Sequence, residues 1–173
     1  MTEPEFRFIL PEDYKAFNKL INTNRERLKR YFPITVSKTN SLDDVKSYLT
    51  VLSQQLEKKQ RYPFGLFHDS ELMGVVLVKD IDWRIPKCEL AYYIDKGHEG
   101  KGITTVLVEN TISYCFEELK MKKIFLRISP DNIASKKIAE KTGFTKEGVL
   151  RKEFRVYTGE LVDVEYYGKL DSD

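Results

Sequence analysis

Two cysteines and two histidines are all the soft metal-ligating chemistry that the 173 residues hold. Cys88 and Cys115 fall inside a strand-like and a helix-like pattern, so no disulfide framework is expected. His68 and His98 are too few to anchor a metal cluster, and the expectation is chemistry without a metal. Long apolar runs are missing as well: the longest aliphatic one is Val75 to Val78, far below the roughly 20 residues a membrane helix needs. The segment Met1 to Leu10 carries acids where a secretory leader would carry bases and an apolar stretch. A cytoplasmic protein with no membrane partner is the expectation. Charge of one sign is also lacking, since 29 Lys+Arg against 27 Asp+Glu leave a net charge of +2, and no segment gathers the basic residues. That disfavours salt-driven nucleic-acid binding. There is no repeat, linker or low-complexity stretch, and the length with 41% hydrophobic residues suits one domain over residues 1–173.

What is present is alternation. Glu5 to Ile9 alternates like a strand, and Pro11 then stands where a helix start tolerates a missing N–H, predicting a helix to about Arg30. Tyr31-Phe32-Pro33 breaks it. Ser41-Leu42-Asp43-Asp44 opens a second helix, with Val45, Leu49, Leu52 and Leu56 at helical spacing. Strands are predicted at Tyr62 to His68, Leu72 to Ile81 and Lys87 to Ile94. A helix over Gly102 to Leu119 leads to a strand at Lys123 to Ile128. Pro130-Asp131-Asn132 caps a shorter helix ended by Gly143, and Phe144 to Val156 pairs with Leu161 to Leu170 across Thr158-Gly159. The order predicts a mixed α/β fold, with the strands ending at Ile94 and beginning at Lys123 parallel across a helical crossover.

The densest chemical signal is "DKGHEGKG", Asp95 to Gly102, which holds three glycines and two lysines at the mouth of a helix. Bare backbone there lets several N–H groups converge near the positive end of the helix dipole, and Lys96 and Lys101 add charge; a diphosphate suits such a cradle. An ordinary strand-to-helix loop with a glycine cap explains the same residues equally well. Two familiar phosphate loops do not fit. A Walker loop needs Ser or Thr after Gly-Lys, where Gly102 stands. The Rossmann order of glycines is G-x-G-x-x-G after the first strand, whereas this one is G-x-x-G-x-G deep in the chain.

At these residues the sequence resembles the GNAT superfamily of acetyl-coenzyme A-dependent N-acetyltransferases, whose signature Q/R-x-x-G-x-G/A is matched at Gly100 and Gly102 and departed from at Gly97. "CELAYYI", "DNIASKKIAEKTGF", "GFTKEGVLRKEF" and "RYFPI" resemble, in order, segments of the branch that acetylates the N-termini of ribosomal proteins. The resemblance implies a central twisted mixed sheet of about seven strands flanked by helices. It further implies acetyl-CoA as co-substrate, held by Ile94, Glu99, Gly100, Lys101, Gly102, Ile103, Thr104, Asn132 and Ser135, an amine acceptor such as a ribosomal-protein N-terminus, and possible homodimers.

Acetyl transfer needs a neutral amine, a stabilised oxyanion and help for the departing thiolate. An α-amine has a pKa of about 8, so roughly a tenth is already neutral at pH 7 and a modest base suffices. Glu89 is the candidate, because it interrupts a largely apolar strand and partial burial would raise its pKa; an ion pair or a solvated position are the plain alternatives. Ser135 follows Asn132 by three residues, which sets both on one helix face. By resemblance Asn132 holds the pantetheine arm and Ser135 hydrogen-bonds the leaving sulfur; the plain readings are a helix cap and a first-turn hydroxyl. Tyr92 and Tyr93 point to opposite faces of their strand, so at most one can meet the thioester. Lys136 and Lys137 suit either the 3′-phosphate of coenzyme A or solvent, and Asp80, Asp82, Trp83, Tyr31, Phe32 and Tyr157 are candidates to border the acceptor. The competing functions are acetylation of a small amine, such as a polyamine, antibiotic or amino sugar, and a non-catalytic acyl-CoA-binding module.

Overall fold

The structure, a computed structural model, describes residues 3–173. Seven strands form one sheet in the order β1-β2-β3-β4-β5-β7-β6. They are β1 (Glu5–Phe8), β2 (Tyr62–His68), β3 (Glu71–Asp82), β4 (Lys87–Ile94), β5 (Lys123–Ile128), β6 (Thr145–Arg155) and β7 (Leu161–Leu170). The helices are α1 (Tyr14–Leu28), α2 (Pro33–Ser37), α3 (Leu42–Glu57), α4 (Ile103–Glu117) and α5 (Ile133–Lys141). Among the described residues none is long and apolar enough to cross a membrane.

Local chemistry sets the boundaries. Pro11 opens a short 3₁₀ turn before α1, so the expected helix start holds but the α-helix proper begins at Tyr14. Ser41 and Asp44 bond reciprocally, the Ser41 hydroxyl accepting from the Asp44 N–H at 3.1 Å and the Asp44 carboxylate from the Ser41 N–H at 3.0 Å, which closes two orphan donors of α3. Gly143, at φ +82°, ends α5: the Phe144 N–H reaches back to the Ala139 carbonyl at 2.9 Å and the Gly143 N–H to that of Glu140 at 3.2 Å. Two short elements escaped the sequence reading, α2 and a 3₁₀ turn at Lys96–His98. Both are too short to show a period.

Each face of the sheet is covered by its own helices. α1, α2 and α3 bury Phe17, Leu20, Ile21, Val36, Val45 and Leu49 with Val75 and Tyr93 of the sheet. α4 and α5 bury Leu107, Val108, Ile112 and Ala139 with Val76, Leu90, Ile124 and Leu126 on the other side. Consecutive residues of β4 therefore serve different layers, as the pleat requires. Cys88 and Cys115 are free, buried thiols with sulfurs 3.9 Å apart.

The feature that positions the site is the β4–β5 junction. It is the sheet's parallel pairing, as the crossover predicted, and its ladder runs only from Lys87↔Lys123 to Glu89↔Phe125. β4 continues to Ile94 and β5 to Ile128 without pairing to each other. Unpaired edges of two parallel strands present N–H and C=O groups that must find another partner. α4 starts from the far end of β4, and α5 from the far end of β5, so both helix N-termini face the same opening.

Candidate active site

The loop from β4 to α4 divides into two halves with different hydrogen bonding. In the first half every amide is committed: Asp95 N–H to the Met73 carbonyl at 2.8 Å, Lys96 N–H to the Asn24 side chain at 3.0 Å, Gly97 N–H to the Asp95 carboxylate at 2.7 Å, His98 N–H to the Asp95 carbonyl at 2.9 Å and Glu99 N–H to the Lys96 carbonyl at 3.3 Å. In the second half, Gly100 to Thr105, no N–H bonds to the protein among the described residues. Gly100 and Gly102 stand at φ +73° and +77°, and a Cβ at either would find open space. Backbone conformation, not crowding, therefore requires glycine there. Gly102 is the N-cap of α4 and has no side chain to offer its first turn. The result is a run of six bare amides at a helix N-terminus, a fit for an anion.

This places the expected loop residues unequally. Gly100, Lys101, Gly102, Ile103 and Thr104 contribute free amides, and Thr105, not singled out in the sequence, joins them. Gly97, read with the cradle, belongs to the committed half. The Glu99 N–H is likewise used, and its carboxylate pairs with Arg27. The Ile94 carbonyl accepts from Arg27. The Lys101 ammonium turns back to the Gly97 carbonyl at 2.9 Å.

Across the opening, Asn132 caps α5 through its side-chain oxygen, which accepts from the Ser135 N–H at 3.1 Å. Its amide NH2 has no hydrogen bond to the protein among the described residues. The Ser135 hydroxyl has no hydrogen bond to the protein among the described residues, while the Ser135 carbonyl accepts from the Tyr92 hydroxyl at 3.2 Å. Of the two tyrosines, Tyr92 is thus the one turned towards α5. Tyr93 lies in the opposite layer with its ring 4.8 Å from that of Phe32. Burial pushes the Tyr92 phenol well up, so it stays protonated and acts as a hydrogen-bond donor. Lys136 sits 3.6 Å from Glu165, so its charge has a protein partner; Lys137 is exposed.

Glu89 occupies the last paired position of the β4–β5 ladder and is 4% exposed. The Arg127 guanidinium donates to its carboxylate twice, at 2.5 and 3.2 Å, and the Lys79 ammonium lies 3.0 Å away. Arg127 also binds Asp80 at 2.7 Å and Glu153 at 3.4 Å. Ion pairing and a raised pKa, alternatives in the sequence, coexist: burial pushes the Glu89 carboxyl above its ordinary range, more than Arg127 and Lys79 pull it down. Burial also works against the charge of Asp80, but its hydrogen bond with Glu89 and the two cations hold it below the usual range. Two carboxyls beside one another settle a proton on the more buried one. Within the cluster Glu89 thus holds a proton more readily than Asp80.

Sequence reasoning missed Arg127 and Lys79. The available signal was a cation directly after an apolar run, Arg127 in "KIFLRI" and Lys79 in "VVLVKD". Asp80, a candidate to border the acceptor, stands in a bulge of β3, at φ +49°, where the register with β4 shifts between Lys79 and Asp82. Such a bulge re-aims one side chain out of the alternation. Asp82 instead caps the following turn, accepting from the Arg84 and Ile85 N–H groups at 2.9 and 3.2 Å. Trp83 is exposed beside it.

At the far end of β5 a half-open cavity of about 220 Å³ is lined by Arg30 and Tyr31 after α1, Pro130 and Asp131 before α5, and Phe154, Val162 and Asp163 of the β6–β7 hairpin. Arg30 and Asp131 pair across it. Tyr157, at the hairpin tip, stays exposed, and Phe32 is spent on the core.

Comparison with known proteins agrees with this geometry. Residues 5–145 match the model of the acetyltransferase (GNAT) domain. A Bacillus subtilis protein named as a probable N-acetyltransferase, YjcK, is 33% identical over 140 residues, covering 79% of this chain and 77% of that one. A second protein of that organism, YdaF, carries the name of a ribosomal N-acetyltransferase and is 28% identical over 164 residues, covering 95% and 89%. The solved ribosomal L7/L12 α-N-protein acetyltransferase in complex with coenzyme A superposes with a TM-score of 0.89 at 19% identity, over 100% of this chain and 97% of that one. The bare-amide loop beside a split parallel strand pair, on a seven-stranded mixed sheet, is thus the frame of a known enzyme family: the chain belongs to the GNAT acetyltransferases, which use acetyl-CoA.

Proposed function

We propose that this enzyme transfers the acetyl group of acetyl-CoA to the α-amine of a protein N-terminus, a ribosomal protein being the acceptor class that fits best. The observation that carries the reading is Glu89: a buried carboxyl with a raised pKa, at the point where β4 and β5 part. A carboxylate so placed suffices for an α-amine of pKa about 8, roughly a tenth of which is already neutral at pH 7, whereas a lysine side chain near 10.4 is almost wholly protonated there. The cavity supports the same acceptor. It is half open, apolar on one side through Phe154 and Val162, and carries Asp163 beside the Arg30–Asp131 pair, which suits the first residues of an extended chain with a cationic end. The name of YdaF points the same way.

In this reading the amides of Gly100 to Thr105 hold the diphosphate of the co-substrate, with Lys101 beside them. The Asn132 amide meets the pantetheine arm between the diverging strands. The neutral amine attacks the thioester carbonyl carbon, forming the C–N bond, and an unpaired N–H of β4 beyond Glu89 receives the oxyanion. Glu89 takes the proton that the nitrogen sheds. The C–S bond then breaks and the sulfur departs as a thiolate, stabilised by a hydrogen bond donated by the Ser135 hydroxyl; with a thiol pKa of about 8.5 it needs little more help and takes its proton from water.

The test is thiol release from acetyl-CoA with a panel of peptides carrying free N-termini, intact ribosomal proteins, polyamines and amino sugars. Release with N-terminal peptides, abolished when the same peptides are N-blocked, supports the proposal. Release confined to polyamines or amino sugars contradicts it.

A further inference from the structure

One buried polar network has no part in the chemistry above and yet touches the cofactor loop at four points. Asn24 lies in α1 and is 3% exposed. Its amide NH2 donates to the Leu20 carbonyl and to the Asp95 carboxylate, both at 2.8 Å, and its oxygen accepts from the Lys96 N–H at 3.0 Å and from Arg27 at 2.8 Å. Arg27, one turn on, donates to the Ile94 carbonyl and pairs with the Glu99 carboxylate. The other Asp95 oxygen holds the Gly97 N–H at 2.7 Å. Every partner on the loop side lies between Ile94 and Glu99, in the half whose amides are committed.

We infer that Asn24 and Arg27 are positioning residues for the co-substrate: they fix the first half of the loop so that the second half presents its amides already aimed. The inference rests on reading Gly100 to Thr105 as the diphosphate cradle. Two physical arguments carry it. A buried amide whose donors and acceptor are all engaged permits one arrangement of the chain it binds, and a loop fixed beforehand does not lose that freedom again when ligand arrives. The second argument is electrostatic. Glu99 precedes Gly100 and would set a bare carboxylate beside an anion site; the Arg27 guanidinium covers that charge. Arg27 thereby acts as a mask as well as a brace. Because α1 runs on into Arg30 and Tyr31 of the acceptor cavity, the same helix touches both halves of the reaction.

The experiment compares Arg27→Gln, Glu99→Gln, the double variant Arg27→Gln/Glu99→Gln, and Asn24→Ala with the unaltered chain. Coenzyme A affinity is measured by calorimetry, KM for acetyl-CoA and kcat by thiol release, and folding by thermal melting. Arg27 is partly exposed, so its variant is expected to fold even if Asn24→Ala does not. Arg27→Gln should weaken coenzyme A binding and raise KM for acetyl-CoA about tenfold, with kcat at saturation retained and the melting temperature little moved. Glu99→Gln alone should bind at least as tightly as the unaltered chain, and adding it to Arg27→Gln should recover most of the loss. Unchanged affinity in Arg27→Gln, or a loss that Glu99→Gln does not repair and that follows the melting temperature, overturns the inference while the cradle stands. No binding by the unaltered chain overturns both.

Discussion

Replacing Glu89 by glutamine separates catalysis from folding, because the two should move in opposite directions. Glu89 is 4% exposed and bonded by Arg127 at 2.5 Å, and glutamine keeps its shape and an acceptor oxygen while removing the charge and the base. Burial raises the Glu89 pKa, so the folded protein binds this proton more tightly than the unfolded chain does. Its contribution to stability is therefore complete below the unfolded value near 4.5 and is lost as pH rises through the higher folded value. At pH 7 to 8 the ionised carboxylate is a cost the fold carries, offset in part by Arg127 and Lys79. A neutral isostere has no such cost, and its melting temperature at pH 7.5 should equal or exceed that of the unaltered chain. Activity should fall. A positioned base contributes about 10² to 10⁴-fold, and since roughly a tenth of an α-amine is neutral at pH 7, the lower end, about 10²-fold in kcat/KM, applies there. The deficit should shrink above pH 8 as the amine loses its proton unaided, and the acid limb set by Glu89 should vanish from the profile, leaving that of the amine alone. Thiol release between pH 5.5 and 9, with melts on the same samples, reads all three. Glu89→Gln with unaltered kcat/KM and the same acid limb would refute the assignment.

Other perturbations probe different levels of the account. Gly100→Ala and Gly102→Ala place a Cβ in open space at φ +73° and +77°, so the cost is backbone strain of about 1–2 kcal/mol, read by calorimetry as a loss of about 5- to 30-fold in coenzyme A affinity. Gly148→Ala, at a glycine with open space and no positive φ, should leave affinity alone. Asn132→Ala should lower stability by about 1 kcal/mol through the lost cap and weaken coenzyme A binding, whereas Asn132→Asp keeps the cap acceptor, loses the amide donor and adds a negative charge, so that it should weaken binding without the loss of stability; equal affinities in both and in the unaltered chain would leave Asn132 as a cap alone. Leu107→Ala, fully buried between α4 and the sheet, should cost about 2–5 kcal/mol in urea denaturation without changing KM for acetyl-CoA.

Much of the frame was legible because its causes are local. The strand at Lys87 to Ile94 and the helix after Gly102 follow from alternation and period, and the parallel pairing of β4 with β5 follows from the crossover between them. The glycine spacing exposed the loop, but not its division: that Gly97 is tied to Asp95 while Gly100 is bare depends on which side chains of α1, some seventy residues earlier in the chain, reach the loop. Glu89 was visible as one acid in an apolar strand. Its partners were not, since Arg127 lies across a parallel pairing and Asp80 is aimed by a bulge that breaks the alternation used to read the strand. Tyr92 and Tyr93 could be assigned to opposite faces from the pleat, and only the packing of α5 decided which one met the open side.

The most direct test of the central claim is calorimetric titration of coenzyme A into the full chain, with inorganic pyrophosphate as competitor. Saturable one-to-one binding that pyrophosphate displaces and that Gly102→Ala weakens is the predicted result. No heat at millimolar coenzyme A from a sample that melts cooperatively would contradict it.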